Sequence, residues 1–202
     1  MRLAGAGGCR RPRWRAPRDR RPGRWWWLIL ALLLVGSVLA QEFRVTQVHT
    51  RLVDGTYTLD ATLGFDFSTE ALEALANGVP LTILVHLQVR RSDAWIWENS
   101  VTDQQVRYAI RHKPLSETYE VYRLPGTSGR TFVTREAAMT ALGEIQNLQL
   151  VEQRRLTAGE NYVVEIKVSL DIEELPLPLR PMAYLRPAWK LASGWTKWPL
   201  TP

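Results

Sequence analysis

Three histidines, His49, His86 and His112, are the first candidates for proton transfer or metal binding. Each falls in a different stretch of alternating residues, and none has a second His or Cys at ligand spacing. A zinc site needs three or four converging ligands. His86 lies on the polar side of its stretch and reads as a surface histidine. The one cysteine, Cys9, precedes an apolar run at residues 25–40. Disulfides, thiolate metal sites and cysteine nucleophiles are therefore excluded from residues 41–202. Gly126-Thr127-Ser128-Gly129 lacks the nucleophile-elbow pattern and reads as a loop tip. No P-loop or dinucleotide-binding glycine pattern occurs. The dense acidic run is Asp171-Ile172-Glu173-Glu174. Paired carboxylates can act as acid and base only if the fold sets them face to face. The same run also reads as a solvated strand end, with Asp171 anchoring the chain by accepting backbone or arginine hydrogen bonds.

Tryptophan is the most distinctive residue type. Residues 41–202 hold five: Trp95, Trp97, Trp189, Trp195 and Trp198. Trp95 and Trp97 fall on one side if their stretch is extended. An exposed tryptophan marks a binding contact, whereas a buried one fills core; the sequence leaves both readings open. Arg180 and Arg186, set among prolines and aromatics, could stack on rings or bridge to Asp171 or Glu173. The expectation is an interaction surface built from Trp95, Trp97, Arg180, Trp189, Trp195 and Trp198, with no catalytic residue, cofactor or metal.

The elements that must position these side chains begin after a leader. Residues 1–24 hold nine arginines and one acid, Asp19, and residues 25–40 are sixteen residues without a charge. A basic flank before an apolar run is the pattern of an export signal, with the arginines on the cytoplasmic side. The run is shorter than the roughly 20 residues of a spanning helix. Val38 and Ala40 suit a leader peptidase, while Trp25-Trp26-Trp27 suit a retained anchor at a membrane interface. Residues 1–40 carry a net +8; residues 41–202 hold 17 Lys/Arg and 19 Asp/Glu, a net −2. The chain's basicity thus belongs to the leader, and the domain has no charge excess for nucleic acid. The expected organisation is a basic flank at 1–24, a signal core or membrane anchor at 25–40, a β-rich globular domain at 41–174, and a Pro/Trp-rich segment at 175–202 packed on that domain.

Strands are expected at 43–53, 57–67, 81–91, 103–112, 117–124, 130–133 and 162–172. Apolar residues alternate along Tyr57–Phe67, Leu81–Val89 and Tyr162–Ile172. Asp54-Gly55 marks a turn. Ser68 can cap a helix over 69–76 that stops at Asn77-Gly78, and Thr134 can cap a second over 135–147. Leu175-Pro176-Leu177-Pro178-Leu179-Arg180-Pro181 cannot continue a central strand, so it should be extended or carry a short helical turn near 181–185. The fold class expected is α+β, mostly β: an antiparallel, sandwich-like domain of about seven strands with two inserted helices, preceded by the signal or anchor helix.

Leu52-Val53-Asp54-Gly55-Thr56-Tyr57-Thr58-Leu59-Asp60-Ala61 and Glu73-Ala74-Leu75-Ala76-Asn77-Gly78-Val79-Pro80-Leu81 together resemble the DUF4390 family of proteobacterial proteins. So do Leu175 to Pro181 with Ser193-Gly194-Trp195 and Trp198-Pro199-Leu200. The resemblance spans roughly residues 42–200. It implies an exported or membrane-anchored protein whose gene often neighbours that of a nitrogen-regulation-type membrane sensor kinase, and it carries over no catalytic residue. The expected role is a non-enzymatic envelope interaction module in the periplasm or on the periplasmic face of the inner membrane. It would be held there by residues 25–40, with an envelope protein such as the sensor kinase as partner. The alternative is a small-ligand or glycan binder that uses the tryptophans.

Overall fold

The computed structural model describes residues 42–95 and 98–201. The leader expected over residues 25–40, and Trp97, lie outside them. The chain order is β1 (Arg44–Val53), β2 (Thr56–Gly64), α1 (Thr69–Ala76), β3 (Leu81–Arg91), β4 (Thr102–Lys113), β5 (Thr118–Arg123), β6 (Arg130–Phe132), α2 (Arg135–Gly143), β7 (Glu144–Glu152), β8 (Tyr162–Leu170), α3 (Arg180–Leu185) and β9 (Thr196–Pro199). The described residues are mostly β, with three helices and two antiparallel sheets. One sheet has the order β1-β2-β7 and the other β6-β5-β4-β3-β8-β9. No helix among them is long and apolar enough to cross a membrane.

Period-2 patterning sets the sheet faces. Leu81, Ile83, Val85, Leu87 and Val89 of β3 and Val164, Ile166 and Val168 of β8 are all buried, and they share one core with Leu59, Ala61 and Leu63 of β2. Fully burying a branched aliphatic side chain contributes about 1.5–3 kcal/mol, so these central strands supply much of the stability. Asp54 and Gly55 both have positive φ, 48° and 75°. That is the two-residue turn whose twist matches a β-hairpin, and it joins β1 to β2 in the register Val53↔Thr56.

Both expected helix caps form. Ser68 Oγ accepts from Ala71 N at 3.2 Å and Thr134 Oγ1 from Ala137 N at 3.2 Å. Helix α1 ends in a Schellman closure, with Gly78 N donating to Leu75 O and Val79 N to Ala74 O; Gly78 supplies the required positive φ of 83°.

Three expectations need correction. There are nine strands among the described residues, not seven, and the second helix stops at Gly143 instead of running to 147. A β-carbon at Gly143 would sit 2.3 Å from the Leu63 carbonyl oxygen, so the chain here lies directly against β2. It leaves the helix and pairs with β2 as β7. Asn147 has φ 52°, and the β2–β7 register shifts between Leu59 and Ala61. This bulge spaces the buried residues Ile145 and Leu148 three apart, and with Ala138 and Leu142 they mimic a helical period. The second missed strand, β9, adds to the edge of the large sheet through Val164↔Trp198 and Glu165↔Lys197. Strand β2 ends at Gly64, short of 67. Phe65 and Phe67 instead pack with Phe43, at centroid separations of 5.1–5.6 Å.

The C-terminal segment supplies core as well as β9. Leu175, Ala183, Trp189 and Leu191 are buried, and Thr201 N donates to Thr50 Oγ1 of β1 at 2.9 Å.

Candidate functional site

The even-numbered residues of β3 form the outer face of the six-stranded sheet. Register places Asp103 and Glu165 on either side of Gln88, with Lys197 beyond Glu165, and Gln105 and Lys167 on either side of His86. On this face the two acids, Asp103 and Glu165, are both engaged. His86 Nε2 is hydrogen-bonded to Asp103 Oδ1 at 2.7 Å. Gln88 Nε2 donates to the other oxygen of Asp103 at 2.8 Å. Glu165, whose side chain is only 10% exposed, lies 2.9 Å from Lys197 Nζ and 3.8 Å from Arg90 Nη1. Arg90 Nη2 also donates to the carbonyls of Trp95 at 2.7 Å and Glu98 at 2.9 Å. It therefore pins the β3–β4 connection that carries Trp95.

Trp195, the residue just before β9, stands edge-on to the His86 ring, with centroids 5.0 Å apart and planes at 61°. Such aromatic contacts contribute about 0.5–1.5 kcal/mol beyond area burial. The indole remains 42% exposed. His86 is held from below by Asp103 and holds Trp195 in turn, so this tryptophan is presented in a defined orientation. What the arrangement offers chemically is a flat aromatic face beside two engaged carboxylates, with Lys167 next to His86.

The expected surface residues separate into two groups. Trp95 is 78% exposed and Trp195 partly so, but Trp189 is buried at 6%. Trp198 shares the parity of Val164 and packs half-buried against the core. Arg180 Nε donates to the Leu175 carbonyl at 2.6 Å and closes the proline-rich turn. The arginine on Asp171 is Arg107, whose Nε lies 2.8 Å from Oδ2, and neither Arg180 nor Arg186 plays that part. Asp171 is buried, and its Oδ1 also accepts from Glu173 N at 3.1 Å. That carboxylate anchors the turn Ile172–Glu174, while Glu173 is exposed. Sequence reasoning missed Asp103, Gln88 and Arg90 as partners. Their one signal was polarity at alternate positions of β3 and β4, which gives the face but not the register.

Elsewhere, Glu120 is 5% exposed between Arg111 and Lys113 of the neighbouring strand, 2.8 and 3.0 Å away. Hydrogen bonds from Arg111 and then Lys113 hold its carboxyl below the usual carboxylate range. Burial raises the Tyr108 phenol. No group of three His, Cys, Asp or Glu among the described residues could hold a metal ion. A cleft of about 720 Å³ opens where the β7–β8 connection meets the C-terminal strand; Tyr57, Leu156, Asn161, Tyr162 and Leu200 line it, with no tryptophan.

No curated protein and no solved structure matches this sequence. The family model described as a domain of unknown function, DUF4390, matches residues 40–199. That match takes in both sheets, the Trp195–His86 contact and the proline-rich turn, and the chain belongs to the DUF4390 family.

Proposed function

We propose that this domain is a non-enzymatic interaction module on the periplasmic side of the inner membrane. In this reading its two sheets form a sandwich-like scaffold, and the outer face of the large sheet docks an envelope protein such as a membrane sensor kinase. The observation that carries the reading is Trp195, held at 5.0 Å on a histidine that is itself hydrogen-bonded to Asp103. Tryptophan dominates binding hot spots when it is fixed before binding and covered on binding. The acids on this face, Asp103 and Glu165, are already engaged within the domain, so a partner need not neutralise them. The basic flank and apolar run of residues 1–40 support export or tethering.

A photo-crosslinking residue in place of Gln105, which flanks His86 on this face, tests the proposal in intact cells with Trp195 kept. The expected result is a discrete heteromeric adduct that is lost in Trp195→Ala and when the crosslinker is moved to Ala158, in the loop before β8. Recovery of the protein alone from position 105 would sink it. Quenching of tryptophan fluorescence by peptidoglycan fragments, abolished in Trp195→Ala, would instead favour the glycan-binding reading.

A further inference from the structure

Helix α3 differs from the other two in what it shows to water. Exposed positions of α1 include Glu70 and Glu73, and those of α2 include Arg135, Glu136 and Thr140. In α3 only Ala183 turns inward, at 0% exposure. Successive side chains step about 100° around a helix, so Leu185 points away from the domain and Met182 and Tyr184 flank it. Their exposures are 82%, 47% and 48%, and Leu177, just upstream, is 73% exposed. A helix that is apolar inside and out has a second apolar surface to cover.

Charge says what covers it. Residues 175–202 hold four cations and no acid. Lys197 is engaged with Glu165 on another face, which leaves Arg180, Arg186 and Lys190 around α3. Of the acids just upstream, Asp171 binds Arg107 and Glu174 lies 3.9 Å from the same arginine, which leaves Glu173 exposed against three cations. A second copy docked through a two-fold axis would set these cations against themselves. An anionic lipid surface accepts them, takes the leucines and methionine into its boundary, and suits the amphipathic ring of Tyr184.

Chain path agrees. Phe43, the second described residue, packs on Phe65 and Phe67 just before α1. Helix α1 in turn packs on the helical turn Pro187–Trp189 that follows α3. The first described residues therefore lie at the end of the domain that carries α3, and in the sequence the apolar run stops at Ala40.

We propose that Leu177, Met182, Tyr184 and Leu185, ringed by Arg180, Arg186 and Lys190, form a membrane-surface contact that lays this end of the domain on an anionic bilayer. The proposal shares with the functional reading only the membrane-side placement and does not involve the Trp195 face. The test uses the full chain with Cys9→Ser and an environment-sensitive dye on Leu185→Cys, in vesicles of phosphatidylethanolamine and phosphatidylglycerol. A second dye position, Ser92→Cys, lies past the far end of β3, about 36 Å along the strand from Leu81. The expected result is a blue shift and quenching by nitroxide-labelled lipid at 185 and not at 92. Arg186→Gln and Lys190→Gln should each lower the docked-to-undocked ratio about fivefold. A vesicle-bound chain with no quenching at 185, or equal quenching in pure phosphatidylcholine, overturns the lipid contact alone. A blue shift without vesicles, accompanied by self-association, assigns the patch to a second copy or another apolar surface and also overturns it. A chain that fails to associate with vesicles at all removes the membrane-side placement as well.

Discussion

Replacing Trp189 or Trp195 by alanine should give two different outcomes, although both sit in the same aromatic-rich segment. Trp189 is 6% exposed and closes the core beneath α1 and α3. Removing a buried tryptophan forfeits its transfer free energy and leaves a cavity, at a cost of about 3–5 kcal/mol. For a domain of this size each kcal/mol lowers Tm by roughly 2–4 °C, so Trp189→Ala should melt ~6–20 °C below the parent. Trp195 is 42% exposed and has one identified ring contact, with His86. Its loss should cost about 0.5–1.5 kcal/mol. The assay is thermal and urea unfolding of the parent, the two single variants, His86→Ala and the Trp195→Ala/His86→Ala double. The cycle should return a Trp195–His86 coupling of about 0.5–1.5 kcal/mol. Equal destabilisation by the two tryptophan changes would refute the division into core and presented residues. A coupling near zero would remove the claim that His86 orients Trp195. If the division is right, Trp195→Ala keeps the fold and loses the heteromeric adduct.

Three further outcomes follow from packing and charge. Gly143→Ala drives a β-carbon onto the Leu63 backbone at 2.3 Å, so it should destabilise by about 1–3 kcal/mol, the range for overpacking; a neutral result in urea unfolding would mean the α2–β7 junction can move. Asp171→Asn keeps the shape but removes the charge facing Arg107 and should cost about 1–3 kcal/mol, checked by urea unfolding at neutral pH. The native carboxyl of Glu120 is held low by Arg111 and Lys113, so its stabilisation is complete above the unfolded value, about 4.3, and fades as pH falls through the lower native value. Glu120→Gln should therefore flatten the acid limb of Tm against pH, and an unchanged limb would exclude this group.

What could be read directly from the residues was local. Alternation along Leu81–Val89 and Tyr162–Ile172 marked the central strands, because their inward side chains share one core, although β8 ends at Leu170 and Ile172 opens a 3-10 turn. Ser68, Asn77-Gly78, Thr134 and Asp54-Gly55 marked caps and turns, because each acts through bonds to residues within a few positions. The arginines of residues 1–24 and the absence of cysteine after Cys9 bounded the chemistry before any fold was known.

Tertiary structure decided what depends on partners far along the chain. Strand β7 was hidden because its bulge breaks the period of two, and it exists because Gly143 lets the chain lie on β2. Asp103 meets His86 only through the β3–β4 register, and Arg107 meets Asp171 only because the 3-10 turn folds back beside β3 and β4. Among the five tryptophans, composition could not tell Trp189 in the core from Trp195 on the face. Burial is a property of what the rest of the chain packs against a side chain: helices α1 and α3 for Trp189, and His86 of β3 for Trp195.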